Sequence, residues 1–174
     1  MRTDLQGTRH SPWWQIVLVG RNPKWTIARI ALMVALCFAT YNYVLRPIRV
    51  QGISMLPTYK ERGINCINLL AYRFRAPQRG DVVVIQLQAG AHVMLMKRIV
   101  GLPGEMVGFH EGHVVVNGEM LEERYLQRDS DWERPPEKVL ANEYFVVGDN
   151  RSMPQSEHEF GHVPRALILG KVVL

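Results

Sequence analysis

The chain has 174 residues, 47% of them hydrophobic, enough for one sizeable core and little more. Its formal net charge is +5, but residues 1–49 carry seven Lys/Arg against one acid, Asp4, while residues 50–174 carry fourteen against fifteen. A nucleic-acid domain should wear its positive charge on the folded body, and this body is near neutral, which argues against nucleic acid as a partner.

The first predicted element is a membrane span. Residues 30–45 read IALMVALCFATYNYVL, without a charge, and a start at Trp25 gives 21 residues, the length that crosses a bilayer. Arg29 lies one turn inside and can snorkel. Trp25 marks one interface, and Tyr41 and Tyr43 the other. Arg2, Arg9, Arg21, Lys24 and Arg29 precede the apolar run, while only Arg46 and Arg49 follow closely. This asymmetry predicts a cytoplasmic segment over 1–25, a transmembrane helix over 26–45 and an extracytoplasmic body over 46–174. A cleavable signal peptide would have an unusually long basic region, and a cut near Ala39 would leave little chain before Ser54. The earlier stretch WWQIVLVG, Trp13 to Gly20, is too short to span and reads at most as an interfacial anchor.

The body reads as mainly β, an antiparallel domain tethered by one helix. Strands are expected at Asp81–Leu87, at His92–Val100, from Glu143 into a turn at Gly148–Asn150, and at the C-terminus from Leu167. His113–Leu121 reads as two strands joined by Asn117-Gly118, a strong hairpin signal. Arg128–Lys138, charged and carrying Pro135-Pro136, reads as a surface loop. Cys37 and Cys66 give neither a disulfide framework nor zinc spacing.

Two residues suggest chemistry. On the strand around Lys97, alternation puts Val93, Leu95, Lys97 and Ile99 on one face, and Met94, Met96, Arg98 and Val100 on the other. Arg98 reads as the ordinary charge, able to reach water. Lys97 sits among aliphatic neighbours, where desolvation disfavours its ammonium. A neutral amine can take a proton from a serine hydroxyl, the Ser-Lys form of nucleophilic catalysis. Ser54 fits as partner: in VQGISMLPT, Gly52 permits a tight backbone path and Pro57 biases Leu56 toward an extended conformation. Its own N–H could face a developing oxyanion. On patterning alone, an ordinary turn serine and a snorkelling lysine are the commoner readings of these two residues.

With these residues in hand, the chain resembles the type I signal peptidase family. GISMLPT is similar to the family's serine box, KRIVGLPGE to its lysine box, and GDNR, followed by Gly161, to its third box. Gly80-Asp81 falls in the expected order between the first two, and the resemblance covers about residues 26–174. It implies a β-fold, membrane-bound serine endopeptidase that removes signal peptides from exported preproteins at the outer membrane face. Cleavage would follow small residues at the first and third positions before the cut, through an acyl-enzyme. By position, Ser54 matches the nucleophile and Lys97 the general base. Gly52 stands where some members carry a further oxyanion-donating serine, and Asp149 belongs to the third box. No cofactor or metal is implied, the partners are preproteins and membrane lipid, and oligomeric state is left open. In the third box the family usually has a serine near the lysine amine, then an Asp-Ser-Arg run. Here Pro154 stands at the serine position, Ser156 at the aspartate position and His158 at the arginine position, so that ion pair is absent. Ser152 or Ser156 could substitute if the loop shifts.

HEFGH, His158 to His162, also matches a zinc-protease pattern that requires a helix. Gly161 inside it, with Pro154 and Pro164 close by, argues against one. His110 and His113 read as exposed loop histidines. Two further readings accompany the peptidase: a catalytically impaired, membrane-tethered homologue acting as scaffold or partner subunit, and a different processing protease on the same fold.

Overall fold

A computed structural model describes residues 22–86, 94–126 and 130–173. The stretch Trp13–Gly20, and with it most of the 1–25 segment, lies outside the described residues, as do Leu87, His92, Val93 and Arg128. The chain divides into two units, one ending at Thr40 and one from Tyr41 onward.

The first unit contains most of helix α1 (Pro23–Tyr43). Proline suits the first helical position, where its missing N–H would be unsatisfied anyway. The Asn22 carbonyl accepts from Trp25 and Thr26, closing the first turn. From Lys24 to Tyr43 the helix is long and apolar enough to cross a membrane, with mean hydropathy 1.3, and large apolar side chains such as Trp25, Leu32 and Phe38 are exposed. It stops two residues before the predicted end at 45. Leu45 instead opens β1 (Leu45–Arg49), pairing with Asn68, because Pro47 disfavours helix at Arg46.

The second unit holds eleven strands among the described residues, every pairing antiparallel. β1, β2 (Ile64–Asn68), β3 (Val82–Gln86), β4 (Met94–Gly101), β9 (Glu143–Val147), β10 (Gly161–Pro164) and β11 (Ile168–Val173) form a sheet in the order β1-β2-β11-β3-β4-β9-β10. β5 (Met106–His110), β6 (His113–Val116), β7 (Glu119–Met120) and β8 (Arg134–Lys138) form a second sheet in the order β7-β6-β5-β8. Val107, Phe109, Val114 and Val116 of the smaller sheet pack with Val100, Phe145 and Val147 of the larger, around Trp132.

The expected hairpin is present, with Asn117 and Gly118 both at positive φ, 53° and 87°, as a tight primed turn requires. The expected loop over 128–138 is corrected. Arg134–Lys138 is strand β8, and Trp132 is only 1% exposed, its indole donating to the Met153 carbonyl. Two prolines are compatible with a strand here because β8 is the edge of its sheet, where their missing N–H groups forfeit no outer pairing.

The strand alternation around Lys97 is as read. Leu95 and Ile99 pack in one cluster with Val83, which stands directly across from Lys97, and Met96 packs in the opposite one with Val82 and Val84.

Candidate active site

β4 and β9 pair with Arg98 opposite Val147. β9 ends at Val147, so Gly148 is the first residue beyond the strand that pairs with the Lys97 strand. A Cβ on Gly148 would lie 2.6 and 2.7 Å from the imidazole Cε1 and Nε2 of His158, and closer still to the Ser54 carbonyl oxygen. No side chain fits there. Only glycine lets the Ser54 turn and the His158 ring come down on the sheet beside Lys97.

The Ser54 turn is anchored from both ends. Met55 and Tyr59 are buried in the cluster with Val82 and Val172, and the Tyr59 N–H donates to Met55. Upstream, Gly52 takes φ 92°, and the Leu56-Pro57 bond is cis. The Asn150 N–H donates to the Ser54 carbonyl at 3.0 Å, and its side-chain amide donates to the Ile53 carbonyl at 3.0 Å. Ser54 itself is half-buried. No hydrogen bond joins its hydroxyl to the Lys97 amine in this structure; what the turn and the strand share is the Gly148 position.

Lys97 is 3% exposed. Burial holds its ammonium below the usual lysine range, and the negative charge of Glu159 opposes this only in part. His158 is 5% exposed. Burial first, then the positive charges of Lys97 and Arg151, push its imidazole down to about 4, so the ring is neutral near pH 7. The ring stands edge-on to Trp132 at 4.9 Å, and the backbone groups of Glu159 and Ser54 beside it act against the shift that burial causes.

Arg98 corrects its sequence reading. It does not reach water: its guanidinium holds both Asp149 carboxylate oxygens, at 2.8 and 2.6 Å, donates to the Gly80 carbonyl and lies 3.9 Å from the Tyr125 ring centre. The face opposite Lys97 is closed by Asp149 and Tyr125. Thr58 also donates to Asp149, at 2.6 Å, so this carboxylate links the lysine strand, the serine turn and the third box. Next to it, Arg151 pairs with buried Glu123 at 2.6 Å and donates to the Gly148 carbonyl. Glu123 escaped the sequence reading, and its segment LEERYL carries no signal that would have marked it.

The two serines expected near Lys97 do not reach it. The Ser152 hydroxyl donates to Asn150 Oδ1 at 2.6 Å, and Ser156 is exposed in a 3-10 turn, Gln155–Glu157. The residue from this loop beside Lys97 is His158. HEFGH is not helical: His158 is extended and Gly161–Pro164 is strand β10, which sends His162 to Glu137 and Glu143 instead. His110, largely exposed as expected, lies 3.3 Å from Glu133, whereas His113 is half-buried in β6.

A family model described as signal peptidase, peptidase S26, matches residues 24–174. The chain belongs to the signal peptidase family. It is 36% identical over 155 residues to a signal peptidase I of Leptolyngbya laminosa, covering 85% of this chain and 76% of that protein. It is 37% identical over 143 residues to a probable signal peptidase I-2 of Synechocystis, covering 79% and 66%, and 30% identical over 162 residues to signal peptidase I V of Bacillus subtilis, covering 85% and 95%. A crystal structure of a signal peptidase I from Enterococcus faecalis matches with TM-score 0.42 at 27% identity, over 57% of this chain and 98% of that one. As a member of the signal peptidase family the chain is a hydrolase of signal-peptide processing.

Proposed function

We propose that this signal peptidase cleaves preproteins with Ser54 as nucleophile and Lys97 as general base, from a body tethered to the outer face of a cell (inner) membrane by α1. The observation that carries the reading is the shared Gly148 position: a buried, aliphatic-walled amine on one strand, and the serine turn seated on the neighbouring glycine. The neutral amine takes the Ser54 hydroxyl proton while the oxygen attacks the scissile carbonyl. The Ser54 N–H donates to the oxyanion, and since residue 52 is glycine no hydroxyl assists from there. The lysine ammonium then returns its proton to the departing amine of the mature protein. Water, deprotonated by the same amine, hydrolyses the ester. Nucleophile–base contacts are often loose without substrate and tighten in the complex, so the missing hydrogen bond does not count against the pair.

A cavity of about 480 Å³ lies between β1 and β4, bounded by Ile48, Val50, Gln51, Leu95 and Met96. β1 is an edge strand, so an extended segment could pair with it and present small residues to this space, which Arg46, Arg49 and Gln51 line together with the apolar side chains. The scaffold reading drew on the altered third box. It loses force because Asp149–Arg98 and Arg151–Glu123 hold that turn without the missing pair.

The test is cleavage of an Ala-x-Ala preprotein by full-length chain in detergent. Ser54→Ala and Lys97→Ala should each lose about 1000-fold or more in rate, with chelator inert. Cleavage retained by either variant would dismiss the pair.

A further inference from the structure

His158 is a buried imidazole held against Trp132, and a Cβ on Gly148 would lie 2.6 and 2.7 Å from its ring atoms, in a place that a leucine could fill with no polar atom. The choice of a histidine has an electrostatic reason. Two cations already act on this spot, Lys97 from β4 and Arg151 from the turn after β9; Arg151 is neutralised by Glu123, while Lys97 has only the more distant, exposed Glu159. The other groups against the ring, Trp132, Gly148 and the Ser54 backbone, are uncharged. A guanidinium at position 158 would add a permanent cation beside Lys97.

We propose that His158 is a positioning residue for the reaction: its uncharged ring, wedged between Trp132 and Gly148, seats the Ser54 turn on β9 and sets the electrostatic surroundings of Lys97. It touches neither substrate nor reacting atoms; it acts through the serine turn and through the amine. The idea rests on the Ser54–Lys97 reading, and the experiment separates the two.

The acid limb of the pH profile of kcat/KM is measured in the full-length chain and in His158→Gln, His158→Glu and His158→Arg. Glutamine keeps the site neutral and should leave the limb near its wild-type position with a modest fall in kcat. Glutamate should move the limb up by about one pH unit and arginine down by about as much, because an added charge nearby stabilises or opposes the lysine ammonium. A residue that only fills space would lower rates without ordering the limb by charge. Since buried charges can unfold the chain, a second arm uses Lys97→Met and follows the His158 ring by NMR. Removing the amine should raise the pH at which the ring titrates, above about 4. A limb unmoved by charge in the folded variants, or a ring that titrates alike with and without Lys97, overturns the proposal. If instead Ser54→Ala still cleaves, the dyad reading falls while the NMR arm still reports on His158 and Lys97.

Discussion

Lys97 sits at the meeting of a stability cost and a chemical use. An ammonium among aliphatic neighbours, with no ion-pair partner among the described residues, loses its hydration, so folding favours the neutral form. The native chain therefore binds fewer protons here than the unfolded chain. Stability from this group rises with pH from its depressed native pKa up to the ordinary lysine value, about 10.4, and the penalty is largest below that window. Lys97→Met should accordingly raise Tm near pH 7, by about 2–4 °C for each kcal/mol recovered, while abolishing cleavage. Calorimetry at pH 7 and 10 checks it: the gain must shrink at the higher pH. His158 behaves with the same sign. Its folded pKa, about 4, lies below the ordinary 6.5, so its share of stability is complete above pH 6.5 and lost as pH falls toward 4, about 3 kcal/mol in all. Urea unfolding across that range should show wild type losing stability relative to His158→Gln as the pH drops. Ser54 and Lys97 stand out in the sequence because each is an odd residue type in a patterned run. His158 does not, because its meaning comes from Gly148, ten residues away in sequence and in contact only once β9 and the following loop have folded.

The elements were legible where the apolar run was clear. β3 and β9 are short, nearly continuous apolar runs, β11 alternates, and Asn117-Gly118 fixes its own turn. The illegible strands lack that pattern. β8 is RPPEK, a strand only because β5 offers a partner and the outer edge is free. β1, LRPIR, continues an apolar run that resembles membrane helix until Pro47. Arg98 misled for a similar reason: strand alternation assigns a face but does not say whether that face meets water or Asp149. The Arg98–Asp149 pair also joins elements, since Thr58 of the serine turn and the Gly80 carbonyl before β3 bond to the same two side chains. Removing one member of a buried pair strands the other, so Asp149→Ala should cost about 3–5 kcal/mol in chemical denaturation. It should also cut cleavage beyond what unfolding explains, because the turn that presents Ser54 loses Thr58's anchor.

Across the whole molecule, charge and apolarity are divided along the chain. The N-terminal portion holds the basic excess, α1 exposes apolar side chains along its length, and the remainder is nearly neutral and closes on its own cores. The proposed arrangement would put lipid over the apolar side chains of α1, the basic N-terminal portion in the cytoplasm and the body outside. Protease added to the outer side of right-side-out vesicles should degrade the body and spare an N-terminal tag; protection of the body would reverse the orientation. The central claim is that an unprotonated Lys97 activates Ser54. It is tested most directly by the pH dependence of kcat/KM for preprotein cleavage by the full-length wild-type chain in detergent. An amine that must lose its proton before it can act predicts one rising ionisation, below the ordinary lysine value of about 10.4, ending in a plateau. A rate that is level from acid to alkaline pH, or that rises only around or above 10.4, would contradict it.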